Sequence, residues 1–296
     1  MKDLFVEFIL GIAKIFYGSW ILKTPFFKWV ATKILNFYLK IQNDYILVNT
    51  KLGFDIYVSK TDLVIGWLLM RDRIFEPEIT NVISNKIKEG DVFVDIGANI
   101  GYYSLLAQSR ACKVYAFEPS PSNYSLLQKN ISLNKEKHKG AILAYNYGLG
   151  EIKEERTLFY NSQNPGASTI LSEIARNSMD DFQEKVTIVV LDEFLRDVKA
   201  DFIKIDVEGY ETFVLRGMKN FLLQEHLKIM MEYVPSAIEK ADELNASRDM
   251  FNTFIENGFH IFVVNVKNGS FTEVYSYDDY MEKFGTVALT ELYIEK

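Results

Sequence analysis

The residues with the most chemical content lie in the run Val94-Asp95-Ile96-Gly97-Ala98-Asn99-Ile100-Gly101-Tyr102-Tyr103-Ser104. An apolar strand, Val92-Phe93-Val94, leads into Asp95, a glycine-spaced turn and then a helical pattern. In that context a ligand is gripped by backbone amides at a helix N-terminus. Gly97 and Gly101 permit dihedrals and close approaches that a side chain would block. Glu118 ends the next strand about 20 residues on, where a carboxylate can accept hydrogen bonds from ribose hydroxyls.

A glycine turn with a distal acid also suits a dinucleotide, but two residues argue against one. A dinucleotide fingerprint needs a glycine where the pyrophosphate presses on the backbone, and this chain has Asn99 there. Asp95 places a carboxylate at the strand end, which would repel a diphosphate. The same charge suits a ligand carrying an ammonium and a sulfonium, such as S-adenosylmethionine. Asn146, ending the third strand, and Tyr147 after it are expected at the adenine end.

A second constellation is Lys204-Ile205-Asp206-Val207-Glu208-Gly209. Strand parity puts Lys204, Asp206 and Glu208 on one side and the apolar residues on the other. Charges at the end of a core strand are costly unless they serve a site. The carboxyl ends of strands in an open parallel sheet are where ligands bind. Glu232, after the apolar run Lys228-Ile229-Met230-Met231, is expected beside this cluster. Such a group can align an acceptor hydroxyl and take its proton, with Lys204 setting the geometry and either Asp206 or Glu208 as base. The alternative is that Lys204 merely pairs with a carboxylate to orient the following helix. Asp206, Glu208 and Glu232 together could hold a hard divalent ion through oxygen ligands, but three carboxylates beside a lysine need no metal, and none is expected. His138, His226 and His260 are expected to be structural or solvated.

With these motifs in view, VDIGANIGYYS, AFEPSP, DFIKIDVEGYETFVLRG and MMEYVP together resemble the FkbM-type methyltransferase family. The resemblance runs from about residue 46 to 235, more loosely to the C-terminus, and includes Phe75-Glu76-Pro77-Glu78. It departs at Tyr147-Gly148-Leu149-Gly150, where the family usually shows an alanine-leucine-glycine turn. The resemblance implies an α/β, Rossmann-like class I methyltransferase fold. Its seven-strand sheet would be mostly parallel, with an antiparallel C-terminal edge pair. It also implies transfer of methyl from S-adenosylmethionine to an oxygen of a sugar, glycan or secondary metabolite.

The elements that must position these residues follow from pattern. Strands are expected at 91–95, 113–117, 141–146, 202–206 and 227–233, with helices near 102–109, 121–133, 209–219 and 246–257. Alternating strands and helices indicate a parallel sheet covered on both faces. Strand-like stretches at 155–160 and 186–190, and a C-terminal pair at 259–266 and 286–294, add to it. Residues 45–59 read as a hairpin and 76–88 as a helix, whereas Asn161–Thr169 reads as a mobile polar loop near the acceptor. Three units result: 1–44, 45–89 and a methyltransferase unit at 90–296.

Composition bounds the rest. The 296 residues carry a net charge of −7, which argues against a nucleic-acid partner. A lone cysteine, Cys112, and three histidines argue against a disulfide framework or a His/Cys zinc site and fit a cytoplasmic setting. The first forty residues hold a balance of +4 in an apolar, amphipathic pattern. Glu7 and Lys14 argue against a clean membrane span, since each costs about 2.5–3.5 kcal/mol at a helix centre. Residues 1–41 are either a helical cap or a peripheral contact with the inner face of a membrane. The leading reading is an O-methyltransferase acting on a glycan or glycolipid. The rivals are a methyltransferase of a soluble metabolite and a non-catalytic nucleoside-binding module. Oligomeric state is not legible.

Overall fold

The computed structural model describes residues 45–60, 62, 64–161, 164–169, 182–242, 245–285 and 289–296. The N-terminal amphipathic segment, with its cap and membrane-contact readings, lies outside the described residues. Among the described residues, no helix is long and apolar enough to cross a membrane.

β1 (Tyr45–Asn49) and β2 (Asp55–Ser59) form an antiparallel hairpin, followed by α1 (Ile65–Asp72) and α2 (Pro77–Lys86). Then β3 (Val92–Ile96), α3 (Tyr102–Ser109), β4 (Lys113–Phe117), α4 (Pro121–Asn134) and β5 (Ala141–Tyr145) alternate. β6 (Gly148–Leu149), β7 (Glu154–Asn161), β8 (Asn164–Thr169) and β9 (Phe182–Val189) make a separate sheet in the order β6-β9-β7-β8. After α5 (Leu191–Phe194) come β10 (Phe202–Ile205), α6 (Glu211–Arg216), α7 (Lys219–Leu222) and β11 (Lys228–Tyr233). The chain closes with α8 (Pro235–Ala241), α9 (Ala246–Glu256), β12 (His260–Val264), β13 (Phe271–Val274), α10 (Tyr277–Phe284) and β14 (Thr290–Glu295).

The main sheet runs β13-β12-β14-β11-β10-β3-β4-β5. From β11 to β5 all neighbours are parallel, and β14 is antiparallel to both β11 and β12. This is the Rossmann-like arrangement, extended to an eighth strand by β13. That short strand and α10 fill what reads in sequence as a polar connection between two edge strands. β14 is thereby an interior strand, and β13 is the edge.

Burial on both faces explains the near-continuous apolar strands. One face packs Val94, Ile96, Ile203, Ile205, Ile229 and Met231. The other packs Phe93, Phe202, Met230 and Tyr293 together with Val48, Phe54, Ile56 and Val58 of the hairpin. Two buried asparagines of α4 hold the hairpin in place. Asn130 accepts from Tyr57 N at 2.7 Å and donates to Tyr57 O and Ile100 O, and Asn134 accepts from Asp55 N at 3.0 Å and donates to Asp55 O. These amides act as a strand edge would, and they tie β2 to the glycine turn.

Two sequence expectations need correction. Of the stretch expected as a mobile loop at 161–169, Asn161 ends β7 and Asn164–Thr169 is the strand β8, paired antiparallel with it. Pro165 is tolerated there because β8 is an edge strand. The helix expected over 209–219 is divided into α6 and α7. A Cβ at Gly217, between them, would sit 2.0 Å from Gly150 O, so only glycine lets the two backbones pass.

Candidate active site

The carboxyl ends of β4, β3, β10 and β11 converge where the chain order reverses, with β3 between β4 and β10. Open parallel sheets bind ligands at such a switch point. A cleft opens there. Its described lining includes Glu76, Glu118, Asp206, Glu208 and Glu232 and contains no lysine or arginine.

One half of the cleft is built by the glycine turn and the end of β4. Gly97 N and Ala98 N donate to Phe117 O at 3.0 and 2.9 Å. Asn99, left-handed at φ 50°, donates its amide to Glu118 Oε2 at 2.8 Å, and Ser120 N donates to Glu118 Oε1 at 2.9 Å. Burial pushes the Glu118 carboxyl up to about 7, against the pull of those amides. Phe117, Asn123, Tyr147 and Leu149 complete this end. Apolar walls beside an acid that accepts hydroxyl protons fit a nucleoside. The acidic, lysine-free lining fits a sulfonium and an ammonium and would repel a diphosphate. The residues present therefore fit S-adenosylmethionine.

The other half gathers acids. Asp206, Glu208 and Glu232 each bring a carboxylate oxygen to within 4.8 Å of the others. β10 ends at Ile205, so strand parity stops short of Glu208. Glu208 instead reaches the cleft through a left-handed turn (φ 53°) followed by Gly209 at φ 97°. Burial, then the charges of Asp206 and Glu232, push Glu208 up to about 9. Burial and Asp206 push Glu232 up to about 8.

Lys204, Asp95, Gly101 and Asn146 stand behind the cleft wall rather than on it. Lys204 is 1% exposed, and its Nζ donates to Asp206 Oδ2 at 2.8 Å and lies 4.8 Å from the Tyr103 ring centroid. Burial alone would lower its ammonium pKa, but Asp206, Glu291 and Glu76 raise it well above the usual lysine range. Asp95, its register partner in β3, accepts from Ser104 Oγ at 2.5 Å. Asn146 Nδ2 donates to Glu118 O and Pro119 O, bracing the backbone under Glu118. A Cβ at Gly101 would fall 2.4 Å from Leu127 Cδ1 of α4.

Gly97 is on the wall for a reason the sequence does not show. A Cβ there would lie 1.8 Å from Asp206 O, and φ is +81°. The glycine turn and the acidic segment touch backbone to backbone, aided by Asp206 N donating to Ile96 O at 3.0 Å. Gly97→Ala is expected to cost about 2–4 kcal/mol from strain and overpacking, read as a lower urea midpoint. A variant as stable as the parent would show that the contact is slack.

Sequence reasoning missed Glu76, Tyr103, Glu211 and Glu291. Glu76 lines the cleft from the left-handed residue before α2 (φ 40°), where a non-glycine residue is strained. Tyr103 Oη donates to Glu76 Oε2 at 2.5 Å, and Phe75 N donates to Tyr102 Oη at 3.1 Å. The paired tyrosines after the glycine turn thus pin the Phe75-Glu76 segment over the site. The available signals were an acid directly before a helix-starting proline, which many helices share, and the place of Phe75-Glu76-Pro77-Glu78 in the family resemblance.

Comparison with known proteins bears on this geometry. A family model for the methyltransferase FkbM domain matches residues 95–261, more than half of the chain. The chain belongs to the FkbM methyltransferase family. S-adenosylmethionine is accordingly the cofactor of this FkbM methyltransferase. Methyltransferase 1 of Beauveria bassiana is 30% identical over 145 residues, covering 42% of this chain and 57% of that protein. The hexuronic acid methyltransferase AglP of Haloferax volcanii is 28% identical over 158 residues, covering 52% and 60%. Each match spans less than two thirds of the relative's own length. The crystal structure of an FkbM methyltransferase from Methylobacillus flagellatus KT has 17% identity and a TM-score of 0.44, covering 70% of this chain and 44% of that one. The family match contains the glycine turn, Glu118, Lys204–Glu208 and Glu232, whereas Glu76 and Glu291 fall outside it.

Proposed function

We propose that this FkbM methyltransferase moves a methyl group from S-adenosylmethionine to a hydroxyl oxygen of a sugar, glycan or glycolipid. The observation that carries the reading is the junction of the two half-sites. Gly97 of the nucleoside end abuts Asp206 of the acidic end, so donor and acceptor would meet in one cleft. When bound, the cofactor supplies a methyl group on a positively charged sulfur, ready for in-line displacement. Glu118 receives the ribose hydroxyls, Asn99 and Tyr147 flank the nucleoside, and Asn146 keeps Glu118 in place. Asp206, Glu208 and Glu232 hold the acceptor hydroxyl, and one ionised carboxylate of the three takes its proton as the oxygen attacks, while Lys204 fixes Asp206. Alignment of this kind supplies about 7–11 kcal/mol of barrier lowering. A sugar acceptor fits a set of carboxylates that accept hydroxyl hydrogen bonds, and the AglP relative acts on a hexuronic acid.

Calorimetry with S-adenosylmethionine, followed by transfer of labelled methyl to uronic-acid and neutral glycans, tests the reading. Absence of cofactor binding at millimolar concentration would end it. Binding with methyl transfer only to nonhydroxyl acceptors would end the oxygen assignment. Glu118→Gln is expected to weaken cofactor binding by about 1.5–3 kcal/mol, the range for a hydrogen bond to a charged group. The wild-type affinity is expected to fall as pH drops below about 7, because ribose hydroxyls need the ionised carboxylate. The limiting slope is about tenfold per pH unit, and the glutamine variant is expected to lack it. An identical pH profile in both proteins would remove Glu118 from the nucleoside end.

A further inference from the structure

The acidic half of the cleft has more carboxylate than proton transfer needs. Asp206, Glu208 and Glu232 each present an oxygen within 4.8 Å of the other two. Oxygens that share one hard cation at about 2.0–2.6 Å are at most about 4–5 Å apart, so the spacing suits a common ion. Lys204 occupies Asp206 Oδ2, and the other oxygen of that carboxylate has no hydrogen bond among the described residues.

An independent observation lies beside the triad. Glu211 opens α6, is 3% exposed, and accepts from Gly209 N through Oε1 at 3.1 Å. Its Oε2 is buried and has no hydrogen-bond partner among the described residues. Its charge bears on Asp206, Glu208 and Glu232 alike. Glu291, the register partner of Glu232, is 4% exposed and likewise has an unpartnered Oε2. Leaving a buried carboxylate oxygen without a donor is costly. Two such oxygens flanking one acidic triad point to a cation and its coordinated water as the missing neighbours.

We propose that Asp206, Glu208 and Glu232 bind one hard divalent cation of the Mg2+, Mn2+ or Ca2+ class, with Glu211 and Glu291 accepting hydrogen bonds from its coordinated water. A donor set made only of carboxylate oxygens selects this class over the softer metals that favour thiolate or imidazole. Charge makes the same case, since Lys204 is the cation against which Glu76, Asp95, Glu208, Glu232 and Glu291 all lie. The site stands on this geometry. Its use, holding an acceptor oxygen in the cleft, rests on the methyl-transfer reading.

The test is titration of MnCl2 into the full chain with neither cofactor nor acceptor, followed by the electron paramagnetic resonance of free Mn2+. One saturable site is expected, displaced by excess Mg2+ or Ca2+. A Glu208→Gln/Glu232→Gln double variant is expected to bind Mn2+ about tenfold or more weakly. Removing like charges should leave its melting temperature in chelator no lower than that of the parent. Mn2+ is expected to raise the melting temperature of the parent and not of the variant. Should the double variant fail to fold, Glu232→Gln alone carries the comparison. No saturable binding to the parent, or variant binding equal to the parent, overturns the proposal. Metal binding without cofactor binding would leave the ion site standing and count against methyl transfer.

Discussion

Replacing Lys204 by methionine is expected to cost the folded chain about 1–3 kcal/mol at neutral pH, because it removes a buried ammonium and leaves the neighbouring carboxylates uncompensated, although water screens Asp206, whose side chain is 38% exposed. The ammonium is enclosed, pairs with Asp206 at 2.8 Å, and sits against Glu76, Asp95 and Glu291. Methionine fills a similar volume, so packing loss is small beside the electrostatic loss. The sign of the pH dependence follows from the shifts. The Lys204 pKa is raised, so its stabilisation is present below the unfolded lysine value and lost only at a pH above it. Asp95 is raised to about 6, first by burial, so its contribution is present below its unfolded value and fades as pH climbs through about 6. The cost of Lys204→Met is therefore expected to be smaller at pH 5 than at pH 8, where Asp95 is ionised. Urea denaturation at both values reads it. A pH-independent cost below about 1 kcal/mol would mean that the lysine neutralises nothing.

The second large effect concerns turnover. Asp206→Asn and Glu208→Gln are each expected to reduce kcat by about 10²–10⁴-fold, the range for a positioned general base. Cofactor affinity is expected to change little, because Glu118 and the glycine turn hold the nucleoside from the other half of the cleft. The two variants separate by stability. Asn at 206 weakens the partner of Lys204 and is expected to lower the melting temperature, whereas Gln at 208 relieves repulsion from Asp206 and Glu232. The larger drop in kcat identifies the base. If both variants keep full turnover with tight cofactor binding, the acidic half is not where the acceptor reacts.

Local pattern reaches far in this chain. β4 and α3 begin and end where their periodicity says, and β3, β10 and β11 do so within a residue. The reason is that each of those four strands is largely buried and bounded by a turn, which makes its apolar run unambiguous. Errors fall where neighbours override propensity. Asn164–Thr169 carries proline and glycine yet lies as a strand because β7 supplies its hydrogen bonds. Phe271–Val274 and Tyr277–Phe284 hide in a polar stretch because the edge of the sheet asks little apolar surface of them.

The glycine turn, Asp95, Glu118 and the Lys204–Glu208 segment declared by sequence alone a nucleoside cofactor with positive charge and a neighbouring acidic centre. Spacing and residue type suffice for that, since backbone amides at a strand–helix turn and carboxylates at strand ends are local properties. Tertiary structure decided which of those residues face the cleft. Glu118, Asn99, Gly97, Tyr147, Asp206, Glu208 and Glu232 line it, while Asp95, Lys204, Gly101 and Asn146 brace it from behind. It also brought in Glu76, from ahead of the sheet, and Glu291, from β14. Glu76 and Glu291, whose charges bear on each other, lie about 200 residues apart in sequence. No local pattern encodes a charge balance assembled from both ends of the described chain, and that balance underlies the inferred cation.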